Sequence, residues 1–399
     1  MLLGRPTNNL RAGIVGLANI GKSTFFQAIT HSNLGCPANY PFATIKPSQA
    51  LLKIPNPHLE KLKEFYQAKE IQHETLTVWD IAGLTRDASR GKGLGNKFLN
   101  DIGSVDGIFH LVRNFKDDNV THLEGGIDPI RDMEIVQDEL ILKDMDKLEK
   151  SLDHLTRLGK NAKNANDKVN EQHEKDLLNK LQDHLYDGKK IINFKNDWTQ
   201  EEADILNKYN FLTAKPSLIL LNLSAENYIT KQIPNLNEVK EWRDQFAPLD
   251  PIVSFSADFE TQFNKFGEDK QAIMDHYTNV LKLTGNDDLA FNSALPEIIT
   301  KMKKALDLIG FYTCGPLMVK QWNVRNGSTA QEAAGAIHTD LQKTFISANI
   351  IKYDDIKDYE APLNTSQLKA KAIIKRVGKD YIMQDEDIPF FVAAGGKTK

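Results

Sequence analysis

The sequence predicts an α/β fold: a doubly wound, mainly parallel sheet, interrupted by a helical insertion and followed by a small mixed α+β unit. Three observations carry this. Residues Gly16-Leu17-Ala18-Asn19-Ile20-Gly21-Lys22-Ser23 complete the pattern G-x-x-x-x-G-K-[ST] between the apolar run Ala12-Gly13-Ile14-Val15 and the helix-like stretch Thr24–Ile29. Further short apolar runs, Leu76–Asp80, Gly107–Val112, Leu218–Asn222 and Pro251–Phe255, recur with helical segments between them, the rhythm of buried parallel strands. From about Glu134 to Tyr209 that rhythm gives way to charged helical sequence, and after about Leu306 it changes again.

The first of these fixes a site as well as a fold. Glycines let backbone N–H groups close around phosphate oxygens, and the helix N-terminus adds its positive dipole end. Lys22 is placed to neutralise β- and γ-phosphates, and the Ser23 hydroxyl to ligate Mg²⁺. Asn19, Ile20, Gly21 and Thr24 complete the loop. Asp80 ends its strand as Asp80-Ile81-Ala82-Gly83, where an acid reaches the Mg²⁺ shell through water and Gly83 offers an N–H to the γ-phosphate. Thr44, in Asn39-Tyr40-Pro41-Phe42-Ala43-Thr44-Ile45, lies where a switch segment would complete that shell. Leu84 stands where related switch GTPases carry a water-orienting Gln, so hydrolysis needs help from another group or a partner.

The insertion reads as an antiparallel helical hairpin. Leu148, Leu152, Leu155 and Leu158 fall at helical spacing, as do Leu178, Leu181 and Leu185, with a polar stretch from Gly159 to Asn170 between. Leucines that only pack on each other explain the pattern as well as a partner-binding arm does. In the last section Val319–Val324 alternates like a strand, Arg325-Asn326-Gly327-Ser328 is a turn, and Thr329 opens a helix over Ala330–Ile337. Ile346–Lys352 and Asp380–Val392 add strand signals, with Pro389 expected at an edge or a bulge.

Composition narrows the classes. The 399 residues suggest two or three domains, and a net charge of −4 argues against broad DNA or RNA binding through a global field. Any such contact needs a local basic patch, of which there are two: Lys369, Lys371, Lys375, Arg376 and Lys379, and Arg86, Arg90, Lys92 and Lys97. Two cysteines, Cys36 and Cys314, without metal-type neighbours fit a reducing compartment. No apolar run approaches a membrane span. Cytoplasm is the expected location, with mitochondrial import the alternative raised by Arg5 and Arg11.

Base choice is set at Asn222-Leu223-Ser224-Ala225. Guanine-specific sites use N-K-x-D, whose Asp accepts from guanine N1–H and N2–H₂. Ala225 offers no such acceptor, which weakens guanine preference and leaves room for adenine. Glu226 would restore an acid only through a bulge.

Together with Gly93-Leu94-Gly95-Asn96-Lys97-Phe98, Thr121-His122-Leu123-Glu124-Gly125, Asp128-Pro129-Ile130-Arg131-Asp132, Ala333–Asp340 and Asp385-Glu386-Asp387-Ile388, these motifs resemble the Obg-like ATPases, the YchF-type branch of the translation-factor-related P-loop NTPases. The resemblance spans nearly the whole chain. It implies a P-loop NTPase domain over 1–135 and 210–305, a coiled-coil insertion over 136–209, and a TGS domain of β-grasp type over 306–394. It implies ATP hydrolysis in preference to GTP, association with ribosomes through the large subunit or ribosomal RNA, and a switch role in translation or stress control. The hydrolysis-linked histidine falls on His122, the aromatic residue beside the base on Phe115, the base-reading Asn on Asn222 with Leu223 after it, and the loop at the base's far edge on Ser256 and Ala257. Related NTPases also use an Asn at the position of Asn19 to ligate K⁺. Ala18, Lys46, Asp87, Lys92 and Ala225 depart from the family pattern, as a divergent paralogue would. The competing readings are a GTPase and a nucleotide-sensing adaptor whose turnover is incidental.

Overall fold

The computed structural model describes residues 4–5, 7–36, 49–81, 83, 94–117, 125–159, 165–195, 197–282 and 289–394. They form two compact units. The first takes residues 1–5, 11–52 and 77–305, and the second takes 6–10, 53–76 and 306–399.

The first unit is laid on a six-stranded sheet of order β2-β4-β1-β5-β6-β7. Its strands are β1 (Arg11–Val15), β2 (Gln49–Lys53), β4 (Thr75–Asp80), β5 (Gly107–Arg113), β6 (Ser217–Asn222) and β7 (Ile252–Phe255). β1 runs parallel to both β4 and β5, β5 to β6, and β6 to β7. β5 and β6 are buried along their full length, which is why they read as continuous apolar runs. The chain crosses from β4 on one side of β1 to β5 on the other, so the carboxyl end of β1 is the switch point where an open α/β sheet accommodates ligands.

Helices α1 (Lys22–His31), α3 (Leu94–Gly103), α7 (Ala225–Ile229), α8 (Leu236–Phe246), α9 (Ala257–Lys265), α10 (Lys270–Leu281) and α11 (Leu295–Ala305) complete this unit with the helical arm. α1 buries Phe25 against Phe255 of β7, with ring centroids 4.9 Å apart. Asn264 on α9 donates to the Ala28 carbonyl of α1 at 2.7 Å. The arm comprises α4 (Pro129–Gly159), α5 (Ala165–Tyr186) and α6 (Gln200–Tyr209). α4 and α5 form the expected coiled-coil hairpin, with Leu148, Leu155, Leu178, Leu181 and Leu185 buried in one cluster and Leu152 partly buried against it. α4 is one 31-residue helix from Pro129, so it runs without a break through the expected boundary at 135/136. Its first turns put Met133 into a core with Val112, Ile219, Val239 and Trp242, and the same helix then runs on into the arm. The buried Asp144 carboxylate ties α4 to the chain after α6 by accepting from the Leu212 and Thr213 amides at 2.9 and 2.7 Å.

The second unit has its own six-stranded sheet, order β11-β10-β12-β8-β9-β3, in a β-grasp arrangement. β3 (Glu70–Gln72), β8 (Leu308–Cys314), β9 (Met318–Arg325), β10 (Phe345–Lys352), β11 (Lys375–Val377) and β12 (Asp387–Ala393) form it. β8 and β9 pair as an antiparallel hairpin and β12 lies parallel to β8. Helix α12 (Ala330–Ile337), opened by a Thr329–Glu332 capping box, contributes Ala330 and Ala333 to a core with Phe311, Val324 and Ile350. The core holding Tyr312, Val319, Ile351 and Ile388 is completed by Leu59, Leu62 and Phe65 of α2 (His58–Tyr66), and β3 pairs in parallel with β9.

Two expectations change here. Residues 53–76 were expected in the first part of the NTPase domain, yet they build the second unit. Pro389 was expected at an edge or bulge, yet β12 lies inside the sheet, and its register with β10 continues through Ile350↔Pro389. The pairing with β8 is registered only at Asp387↔Phe311, so a residue without an N–H two positions later is accommodated.

Candidate functional site: a phosphate loop and a base-end wall

β1 ends at Val15, and the loop from Gly16 turns into α1 through residues with left-handed backbone. Asn19 has φ 61° and Gly21 φ 98°. A Cβ on Gly21 would stand 2.5 Å from the Asn222 Nδ2, so glycine is required here by both conformation and space. Lys22, the first residue of α1, is buried and donates to the Gly16 carbonyl at 3.2 Å and to that of Leu17. Burial lowers its ammonium to about 8, opposed by the charge of Asp80. A Cβ on Gly83 would lie 3.0 Å from the Lys22 Nζ, which puts that backbone beside the ammonium. The Ser23 hydroxyl stands 3.5 Å from Asp80 Oδ2. Burial raises the Asp80 carboxyl from its ordinary value, with Lys22 and the Ser23 hydroxyl pulling it back down. A hydroxyl and a carboxylate side by side are hard oxygen donors of the kind Mg²⁺ takes.

These groups line one cavity of about 1060 Å³, together with Ala18, Asn19 and Thr24. The same cavity is also lined by Phe115, Lys116, Asp117, Asn222, Leu223, Ser224, Ala225, Ala257 and Asp258. Asn222 is a strut as well as a lining residue. Its Nδ2 donates to the Ile20 carbonyl at 3.0 Å, and its Oδ1 accepts from the Ala257 amide at 3.0 Å. One amide hydrogen and one lone pair of the carboxamide are left over from these two bonds. The Leu223 N–H donates to the Phe255 carbonyl at 2.8 Å, which joins the ends of β6 and β7.

The structure thus brings Asn19, Gly21, Lys22, Ser23, Thr24, Asp80, Gly83, Phe115, Asn222, Leu223 and Ala257 to one cavity. Two expected binding residues are not among those lining the cavity. Ile20 is 1% exposed and packs inward. Ser256 is fully buried, and its Oγ caps α9 by accepting from the Phe259 amide. It therefore shapes the site as a helix cap, beneath the surface that meets a ligand. Thr44, Leu84 and His122 lie outside the described residues. The bulge that would present Glu226 is absent: Ser224 caps α7, Ala225 is its first residue, and Glu226 is exposed on it. Sequence reasoning missed Lys116, Asp117 and Asp258, which sit beside named residues but carry no motif of their own.

A parallel sheet whose switch point carries a phosphate loop, a buried lysine and an acid–hydroxyl pair defines a P-loop nucleotide hydrolase. The comparisons agree. Residues 11–149 match the family model MMR_HSR1, described as a 50S ribosome-binding GTPase, and residues 308–393 match YchF-GTPase_C, described as a protein of unknown function. The chain is 53% identical over 399 residues to the Obg-like ATPase homolog of Saccharomyces cerevisiae, covering 100% of this chain and 98% of that one. It is 40% identical over 391 residues to Obg-like ATPase 1 of Homo sapiens, covering 98% and 94%. A solved structure described as the Schizosaccharomyces pombe YchF GTPase matches with a TM-score of 0.85 at 38% identity, over 98% of this chain and 100% of that one. The chain belongs to the Obg-like ATPase (YchF) family.

Proposed function

We propose that this nucleotide hydrolase is a Mg²⁺-dependent ATPase that prefers ATP to GTP and acts as a ribosome-associated regulatory switch in the cytoplasm. The observation that carries the reading is one cavity lined both by Lys22, Ser23 and Asp80 and by Phe115, Asn222 and Ala225; in this reading the first three meet the phosphates and the last three the base. Ala225 is buried at the start of α7 and brings only a methyl group where a guanine site needs a carboxylate. That supports adenine. The curated relatives are described as ATPases and the solved relative as a GTPase, so base choice is the point to test.

In this reading water attacks the γ-phosphate in line. Lys22 and the loop N–H groups hold the developing negative charge. Ser23, Asp80 and Thr44 would hold Mg²⁺, which supplies charge neutralisation on the phosphates, and Asn19 is the candidate for K⁺. His122 is proposed to orient the water, since Leu84 has no group to do so. The ribosome reading is supported by the description of the model matched over 11–149 and by Lys369, Lys371, Lys375, Arg376 and Lys379, all exposed in the β-grasp unit, which we propose is a TGS domain.

The test is titration of purified protein with fluorescent ATP and GTP analogues, with and without ribosomes and with Mg²⁺ or EDTA, alongside phosphate release. Tighter ATP binding that needs Mg²⁺ and faster release with ribosomes are expected. Equal or tighter GTP binding would overturn the base preference, and turnover indifferent to ribosomes would overturn the partner.

A further inference from the structure

Arg113, the last residue of β5, carries one of the largest fully buried side chains among the described residues. A guanidinium taken out of water costs several kcal/mol unless its donors are well placed. Here they reach forward into the next turn of chain. Arg113 Nε donates to the Phe115 carbonyl at 3.1 Å and its Nη2 to the Asp117 carbonyl at 3.1 Å. The guanidinium carbon lies 4.7 Å from the centroid of the Phe115 ring. The same segment is fastened from its other side. The Asn114 N–H donates to the Asn222 carbonyl at 2.9 Å, and Asn114 Nδ2 to the Pro234 carbonyl at 2.7 Å. Phe115, Lys116 and Asp117 are the three residues that this clasp presents to the nucleotide cavity.

We propose that Arg113 is a positioning residue for base binding: its planar fork fixes the turn at 115–117 and sets the Phe115 ring as the wall on which a purine stacks. The proposal rests on the nucleotide reading above and goes beyond it in giving a buried cation that does not itself line the cavity a role in the affinity for the base. A lysine cannot substitute. It has one point of donation, where the arginine grips two carbonyls and lies close to an aromatic ring at once. The cost of ordering the ring is met when the protein folds, so none of it is subtracted from binding.

The role separates base from phosphate affinity, and that is what the experiment reads. Calorimetric titration of the full chain with Mg-ATP and with Mg-tripolyphosphate is compared for wild type, Arg113→Lys, Arg113→Met, Phe115→Ala and the double variant Arg113→Met/Phe115→Ala. Loss of one base–aromatic stack corresponds to roughly tenfold or more in affinity. Arg113→Met and Arg113→Lys should lose about that much for ATP and keep wild-type affinity for tripolyphosphate. The double variant should bind ATP no worse than Phe115→Ala, because Arg113 acts through the ring. Wild-type ATP affinity in Arg113→Met, or equal losses for ATP and tripolyphosphate, overturns the positioning role. Should Arg113→Met fail to fold, Arg113→Lys, which keeps the charge and loses the fork, is read against Phe115→Ala: wild-type ATP affinity in either variant overturns the proposal, and a selective ATP loss in both supports it. A wild-type chain that binds neither ligand overturns the nucleotide reading, and the positioning role with it.

Discussion

Replacing Asn222 by alanine should weaken the first unit before any ligand is considered. Its carboxamide joins the phosphate loop to α9 through two bonds of 3.0 Å, and the side chain is only 2% exposed. Truncation leaves the Ile20 carbonyl and the Ala257 N–H without these partners. An orphaned buried polar group costs about 1–3 kcal/mol, so the expected loss is about 3 kcal/mol, with the open cavity letting water relieve part of it. Urea unfolding followed by tryptophan fluorescence reads this directly. For an m-value of roughly 3 kcal/mol per molar the midpoint should fall by about 1 M. Asn222→Asp is the sharper probe. It keeps an acceptor for Ala257 and turns the donor toward Ile20 into an oxygen. Its penalty should shrink on acidification, because a protonated carboxyl can donate to Ile20 again, and the folded state then holds its proton more tightly than the unfolded one. A loss below about 1 kcal/mol for Asn222→Ala, or a penalty in Asn222→Asp that ignores pH, would refute the strut.

Further outcomes follow from two other buried groups, Lys22 and Glu260. Lys22→Met should lower Mg-ATP affinity at least a hundredfold by calorimetry, since a charge-assisted contact to phosphate is removed. The ligand-free protein should also lose some stability, because the Gly16 and Leu17 carbonyls lose their donor and Asp80 its neighbouring cation, offset in part by the desolvation cost that leaves with the ammonium. In wild type, ATP affinity should decline as pH climbs past about 8, where the free Lys22 ammonium begins to lose its proton. Glu260 accepts from Ser293 Oγ and the Ala294 N–H at 2.7 Å each, and burial pushes its carboxyl up to about 7 from 4.5. A folded pKa above the unfolded one makes this group's favourable contribution greatest at low pH, and it is lost as pH rises from about 4.5 to 7. Glu260→Gln should therefore match wild type near pH 5 and exceed it by about 2–3 kcal/mol at pH 8 in urea titrations. A difference that stays constant across that range would contradict the shift.

Much of the site was legible because its determinants are consecutive. A strand, a glycine loop, a lysine and a helix follow one another within Arg11–His31, and Asp80 ends the strand that lies beside β1. Ser256 misled for a related reason. A serine between a strand and a helix reads equally as a ligand contact or an N-cap, and only the direction of its Oγ, toward the Phe259 amide, decides. Arg113 was illegible because an arginine closing an apolar strand gives no sign of which carbonyls it will meet.

The sequence by itself determined the local chemistry: the phosphate loop, the strand and helix periods, the coiled-coil hairpin, and the missing carboxylate at Ala225. All are properties of neighbouring residues. Tertiary structure decided what distant segments do together. Leu59, Leu62 and Phe65 announce a helix with a buried face, yet two sheets could have received it, and it completes the core of Tyr312, Val319 and Ile388 in the second unit. The join of Asn222 to Ile20 and Ala257 likewise spans 202 and 35 residues. An apolar stripe or a carboxamide states that a partner is required. Which partner it finds is set by the packing of the whole chain, where many elements must be satisfied at once.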